Sequence, residues 1–326
     1  MESEAVEVKN ITKCFGEVQA VDGISFSIHK GELFGFLGPN GAGKTTTINL
    51  LTGLARADSG SIRICGIDCT RNPRAAQHLI GVVPDESNLY PELTGFENLC
   101  FCAALYGIRK EERQNRASKL LKDFGLEKAA KRKFAGYSKG MKRKLTIAAG
   151  IIHHPDVLFL DEPTTGIDVA SARQVRQLVS TLHHGGTTIF LTTHYIEEAE
   201  RLCDRIAFIV AGGIKCIDSA QHLIQPLQSR HILQIACNEV LPENLPEVLA
   251  NAFPEIDFSL SDLHSIRVEA DSPVNVGPLV RILEEQHFTV MEARRKRQSL
   301  EDVFVQITGL ETNELRNEKE LKGGRS

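Results

Sequence analysis

The sequence predicts an α/β protein in two parts: a parallel-sheet core carrying a helical insertion, then a small α+β domain. Three observations carry this expectation. LFGFL (33–37), VLFLDE (157–162) and TTIFLTTH (187–194) contain apolar runs with no polar face, the pattern of strands covered on both sides in a parallel sheet. Between the first and second of these, residues 92–126 turn to long, helix-favouring side chains, as in FENLCFCAALYG and EERQNRASKLLKDFG. Beyond Pro226 a second, shorter series of strand and helix patterns begins.

Taken in order, VEVKNITKCF and ISFSI alternate and are rich in β-branched residues, so each reads as a strand. LFGFL is the first buried strand and runs directly into GPNGAGKTT. TTTINLLTGL (45–54) follows with helical spacing that sets Ile48, Leu51 and Leu54 on one side. SIRICGID and LIGVVPD are further strands, and a helical subdomain is expected over about 88–150. VLFLDE and TTIFLTTH return to the sheet, separated by the amphipathic ASARQVRQLVSTLHH, and the first domain closes at about residue 222. A second domain is expected over 226–310, where HILQIAC, LPEVLANAF, IDFSL, SIRVEA, VGPLVRILEEQ and TVMEARR give the order β-α-β-β-α-β, a ferredoxin-like pattern. Residues 311–326 are charged, with few apolar anchors, and are expected to be a disordered tail.

Composition sets bounds on function. The chain has 326 residues, 42% apolar and 25% charged, enough for about two folded domains. A net charge of -4 supplies no general attraction for nucleic acid, so no nucleic-acid partner is expected. The basic runs at 131–133, with Lys139, Lys142, Arg143 and Lys144, and at 294–297 read as solvated faces. Eight cysteines are scattered without metal-ligand spacing and read as reduced thiols. MESEAVEVKN has no basic region leading into an apolar one, so no secretory leader is expected. No apolar run approaches the roughly 20 residues that cross a bilayer, so any membrane work requires another chain to do the spanning.

The chemistry begins at GPNGAGKTT, comprising Gly38, Pro39, Asn40, Gly41, Ala42, Gly43, Lys44, Thr45 and Thr46. It fits G-x-x-x-x-G-K-[ST] between a strand and a helix. The glycines let successive N–H groups turn inward toward phosphate oxygens, and the helix adds its positive end. Lys44 would reach the β and γ phosphates, and the Thr45 hydroxyl would be a Mg²⁺ ligand. VLFLDE supplies the complementary carboxylates: Asp161 for Mg²⁺, and Glu162 to polarise a water for in-line attack. The expected class is therefore a P-loop NTPase with a RecA-like core, binding a nucleotide with Mg²⁺.

YSKGMKRKLTIAAGII (137–152) narrows the class, because it stands ahead of VLFLDE where the nucleotide-binding subunits of ATP-binding cassette (ABC) transporters carry a signature usually written LSGGQ. The chain resembles that family over residues 1 to about 220. Ser138 and Gly140 match the signature, while Tyr137, Lys139 and Met141 depart from its commonest form. The resemblance implies that Ser138, Lys139, Gly140 and Met141 reach the ATP of a second subunit, most simply another copy of the chain, so that two ATPs lie between two subunits. It places Phe15 at the adenine-stacking position, Asp168 in the loop after the catalytic carboxylates and His194 at the switch histidine contacting the γ-phosphate; Asp168 also suits a helix N-cap. In VVPDESNLYPELT, Asp85 stands where the family carries a glutamine, and is expected to be a Mg²⁺ ligand.

The same resemblance implies separate transmembrane permease subunits, a peripheral position on the cytoplasmic face of the cell membrane, and a groove over about 85–107 for the permease. SLEDVFVQITG (299–309) resembles the end of cassettes serving drug, sodium and polysaccharide efflux, the ABC-2 type exporter branch. The competing class is a soluble cassette ATPase acting on ribosomes or DNA. Such proteins usually carry two cassettes or a long coiled coil, and here there is one P-loop and no sustained heptad run.

Overall fold

The structure is a computed structural model that describes residues 3–70, 72–225, 231–296 and 299–309. The chain divides into two compact units, one essentially Met1–Ala220 and the other Gln221–Gln306. The expected tail at 311–326 lies outside the described residues.

The first unit opens with β1 (Glu4–Phe15) and β2 (Val18–His29), an antiparallel pair whose register sets Val6 against Ile28 and Val8 against Phe26. β3 (Leu33–Leu37) leads through the glycine loop into α1 (Lys44–Leu51). β4 (Ser59–Ile64) and β5 (Ile67–Asp68) return to the first pair, making a separate antiparallel sheet of order β2-β1-β4-β5. β6 (Ile80–Val83) precedes the helical insertion, built from α2 (Gly95–Leu105), α3 (Lys110–Asp123) and α4 (Lys139–Ile151). α2 starts at a complete capping box, in which Thr94 and Glu97 satisfy each other's backbone N–H.

β7 (Val157–Asp161), α5 (Val169–His184), β8 (Thr188–Thr193), α6 (Ile196–Leu202), β9 (Arg205–Val210) and β10 (Gly213–Asp218) complete the unit. The second sheet has the order β10-β9-β3-β8-β7-β6, with β9, β3, β8, β7 and β6 parallel and β10 antiparallel at the edge.

The two-sided burial read from the sequence has a concrete origin. Phe34, Phe36, Phe159 and Phe190 face the antiparallel sheet, where Phe26 stacks on Phe34 with ring centroids 5.5 Å apart. Leu33, Leu158, Leu160, Ile189 and Leu191 face the other way, in one cluster with Leu145 and Ile147 of α4 and Val175 and Val179 of α5. Every residue of β3, β7 and β8 is buried. The loops after the C-terminal ends of these three strands therefore emerge side by side from a rigid base, and the site is built there.

Two expectations are corrected. α1 ends at Leu51, and Leu54, 73% exposed, lies beyond it instead of on its buried side. Arg143 does not belong to a solvated face. It is buried, because α4 turns that position inward between two loops.

α7 (Ala220–Ile224) opens the second unit, whose strands are β11 (His231–Cys237), β12 (Asp257–Asp262), β13 (Ser265–Ala270) and β14 (Val290–Lys296), with α8 (Leu245–Ala252) and α9 (Val276–Glu285) between them. The sheet order is β12-β13-β11-β14, all antiparallel, the ferredoxin-like arrangement. Leu233, Ile235, Ile266 and Val268 pack with Leu245, Leu249, Leu279 and Leu283 as its core. α10 (Leu300–Thr308) carries SLEDVFVQITG. No helix among the described residues is long and apolar enough to cross a membrane.

Candidate functional site

The glycine loop is held at both ends by backbone. Gly38 N–H donates to Thr193 O (3.3 Å), and Gly212 N–H donates to Ala42 O (3.1 Å). Gly43 is the N-cap of α1 at φ 102°, and no side chain caps the helix. A Cβ there would collide with the carbonyl oxygen of Ala20. The first N–H groups of α1 lie outside the intrahelical ladder and face the loop, a geometry suited to phosphate oxygens. Lys44 is buried, and its Nζ donates to Gly38 O (2.8 Å) and Pro39 O (3.0 Å) while lying 3.3 Å from Glu162 Oε1. Thr45 is exposed at the mouth and Thr46 half-exposed.

At the end of β7 the two carboxylates take different roles. Asp161 accepts hydrogen bonds from the Thr45 hydroxyl (2.9 Å) and the Thr192 hydroxyl. Burial pushes its carboxyl up, against the pull of these two bonds. Glu162 has a left-handed backbone, φ 44°, uncommon for a residue with a side chain. The strain is offset by its contacts: the backbone N–H donates to Thr192 Oγ1 (3.1 Å), and the side chain accepts from the Thr165 hydroxyl (3.0 Å). Burial alone would raise the Glu162 carboxyl, but the neighbouring His194 and the charge of Lys44 outweigh it and hold the group at about 2. Glu162 is therefore ionised at neutral pH.

His194 follows β8 and is buried, with Nδ1 3.1 Å from Glu162 Oε2. The approach is out of line for a hydrogen bond, so this ring nitrogen lacks an aligned partner. Lys44, Asp161, Glu162 and His194, spread over 150 residues of sequence, thus converge around one point beside the glycine loop.

Asp85, in the loop after β6, is held by α4. Its carboxylate pairs with buried Arg143 (Nη2 to Oδ1, 3.3 Å), and Arg143 also donates to Pro84 O (2.7 Å) and weakly to Glu162 O (3.5 Å). One guanidinium on α4 thus ties the loop after β6 to the loop after β7. Ser138 is the N-cap of α4 and accepts from Met141 N–H (3.3 Å); Ser138 and Lys139 are exposed, Met141 half-buried and Gly140 buried. Asp168 caps α5 through Ser171 N–H (2.9 Å), and Lys144 of α4 donates to Gln174 of α5 (2.8 Å), so the starts of the two helices lie beside each other. Phe15 ends β1 with its ring 55% exposed and Lys13 Nζ 5.3 Å from its centroid.

The sequence did not single out Thr192, Thr165 or Glu198, each of which holds part of this cluster. Thr192 belongs to the quoted TTIFLTTH run, but nothing local distinguishes a strand threonine that grips a carboxylate. Among the described residues no group of three or more His, Cys, Asp or Glu forms a metal cage. A hydroxyl and one carboxylate 2.9 Å apart instead provide the sparse, hard-oxygen set that suits Mg²⁺ shared with substrate phosphates.

The chain matches the ABC transporter family profile over residues 21–165. It is 36% identical over 307 residues to the linearmycin resistance ATP-binding protein LnrL of Bacillus subtilis, covering 93% of this chain and 98% of that one. It is 36% identical over 311 residues to the Nod factor export ATP-binding protein I of Paraburkholderia xenovorans, covering 95% and 99%. Among solved structures, an ATP-binding subunit of an ABC transporter superposes with TM-score 0.62 at 29% identity, covering 69% of this chain and 93% of that one. A dimeric ATP-binding cassette in a post-hydrolysis state bound to ADP and phosphate superposes with TM-score 0.61 at 28% identity, covering 66% and 98%.

Proposed function

This chain belongs to the family of ABC transporter ATP-binding subunits, and from that premise we propose that it drives an exporter by clamping and releasing a second copy of itself as ATP binds and is cleaved. Its fold is the ABC cassette, and it is an ATP-binding, ATP-hydrolysing subunit whose dimerisation is driven by nucleotide. The observation that carries the reading is the convergence of Lys44, Asp161, Glu162 and His194 on the loop at the start of α1.

The residues divide the work as follows. Main-chain N–H groups at 43–46 and the positive end of α1 receive the β and γ phosphates, and Phe15 stacks on the adenine. Thr45 and Asp161 would hold Mg²⁺, which when bound would supply positive charge to the phosphates. Asp85, paired with Arg143, is left out of that set. Glu162, held by Thr165 and Thr192, orients the attacking water and accepts its proton, while His194 beside it meets the γ-phosphate. Lys44 adds a second effect. Turning from Glu162 to the phosphates, it takes away a charge that depresses the carboxylate, so the base strengthens as substrate seats.

The exposed cap at Ser138 and Lys139, with its following N–H groups, completes the site across a homodimer, and Asp168 lies beside it on the same face. Cleavage removes the charge that bridges the copies. The transmembrane permease would dock at the cytoplasmic face of the membrane, where a groove of about 550 Å³ is lined by Leu54, Val82, Pro84, Leu105 and Tyr106. Resistance and export functions in the names of similar proteins support the export direction.

The test is purification with and without the integral membrane proteins encoded beside it. Co-purification with them and ATPase activity that responds to them are expected. Recovery of an active chain free of any membrane partner, stimulated by ribosomes or DNA, would overturn the transporter reading.

A further inference from the structure

Glu198, on α6, is 2% exposed, and a carboxylate so far from water is costly unless its environment compensates. Both oxygens are satisfied by hydroxyls. Thr164 Oγ1 donates to Oε1 (2.8 Å) and Thr193 Oγ1 donates to Oε2 (2.7 Å). Thr164 lies two residues beyond Glu162, and the next residue, Thr165, donates directly to the Glu162 carboxylate. Thr193 immediately precedes His194; its hydroxyl accepts from Tyr195 N–H (3.0 Å), so its proton is directed to Glu198. The parallel ladder between β7 and β8 ends at Asp161 and Thr192. Beyond that point the Glu198 carboxylate bridges the two catalytic loops.

We infer that Glu198 is a positioning residue for hydrolysis, a strut that fixes the loop of Glu162 against the loop of His194 and so sets their 3.1 Å approach. The inference rests on the reading that Glu162 and His194 act at the γ-phosphate. Glu198 is buried with both oxygens taken by Thr164 and Thr193, so it acts through the two loops. Its loss should therefore act on the chemical step and spare binding, since the strut grips the Thr164 and Thr193 side chains while the glycine loop is tied to the Thr193 main-chain carbonyl and to Gly212. Misplacing a catalytic group by about an ångström costs on the order of 10²-fold in rate.

The test compares Glu198→Met, similar in length but unable to bridge two hydroxyls, with Glu198→Gln, whose oxygen accepts from Thr193 and whose amide donates to Thr164. Thr164→Val and Thr193→Val each remove one hydroxyl while keeping the side-chain shape. Glu198→Met is expected to lower kcat about 10²-fold with ATP affinity retained, Glu198→Gln to recover most of that loss, and each valine variant to fall between them. Wild-type kcat in Glu198→Met overturns the inference, and so does a change confined to KM, loss of ATP binding, or a Glu198→Gln as slow as Glu198→Met. Glu162→Gln is assayed in parallel, because normal turnover in that variant would remove the underlying reading instead.

Discussion

Gly41 and Gly43 both have left-handed backbones, at φ 78° and 102°, but they differ in what surrounds them. A Cβ at Gly41 meets nothing within 4 Å, whereas one at Gly43 runs into the Ala20 carbonyl. Gly41→Ala should therefore cost only the backbone preference, about 1–2 kcal/mol. Gly43→Ala carries a similar backbone cost and must also displace β2 or the first turn of α1, adding roughly 1–3 kcal/mol. At about 2–4 °C per kcal/mol for a unit of this size, Gly41→Ala melts some 2–8 °C below wild type and Gly43→Ala about 4–20 °C below. Melting without nucleotide reads this difference, and titration with a fluorescent ATP analogue reads the second consequence. Because the clash sits at the N-cap whose N–H groups receive phosphate, Gly43→Ala should lose at least about tenfold in affinity, equivalent to roughly 1.4 kcal/mol. Equal melting shifts in the two variants, or wild-type nucleotide binding in Gly43→Ala, would refute the account of the loop.

Asp161→Asn separates stability from function. Burial raises the Asp161 carboxyl, so its ionised form opposes folding, and the stability lost through it grows as pH rises from the ordinary value of 3.8 through the raised one. At pH 7 the asparagine variant should melt no lower than wild type in the absence of nucleotide while losing Mg²⁺-dependent hydrolysis; a lower melting temperature would contradict the burial argument. Phe15→Ala should weaken ATP binding by about 1–3 kcal/mol, the worth of one base stacked on an aromatic ring, with melting unchanged because the ring is 55% exposed. Calorimetric titration checks it, and wild-type affinity would show that Phe15 does not touch the base.

The parallel core was legible because β3, β7 and β8 are buried on both faces, so each carries an apolar run in place of strict alternation. The phosphate loop was legible because its constraints are local: glycines, lysine and hydroxyl between one strand and one helix. The pairing of β1, β2 and β4 into their own sheet was not, since alternation marks a strand without naming its neighbour. Arg143 was misread for a related reason. A basic residue in a basic run looks solvated until the loop after β6, far off in sequence, supplies two carbonyls and a carboxylate. The pairing of Asp85 with Arg143 on α4 is hidden in the same way. Glu198 escaped notice because its meaning lies in two threonines on different loops. In each case the missing information was a tertiary contact that no local pattern encodes.

The central claim, that ATP joins two copies of the chain and cleavage parts them, is tested most directly by light scattering on Glu162→Gln. Losing the base should slow turnover about 10²–10⁴-fold while leaving the phosphate loop intact. With Mg²⁺ and ATP the variant should shift from the 36.0 kDa single chain to a dimer, and return to the single chain when nucleotide is removed. A variant that binds ATP at saturation yet stays at 36.0 kDa would contradict the account.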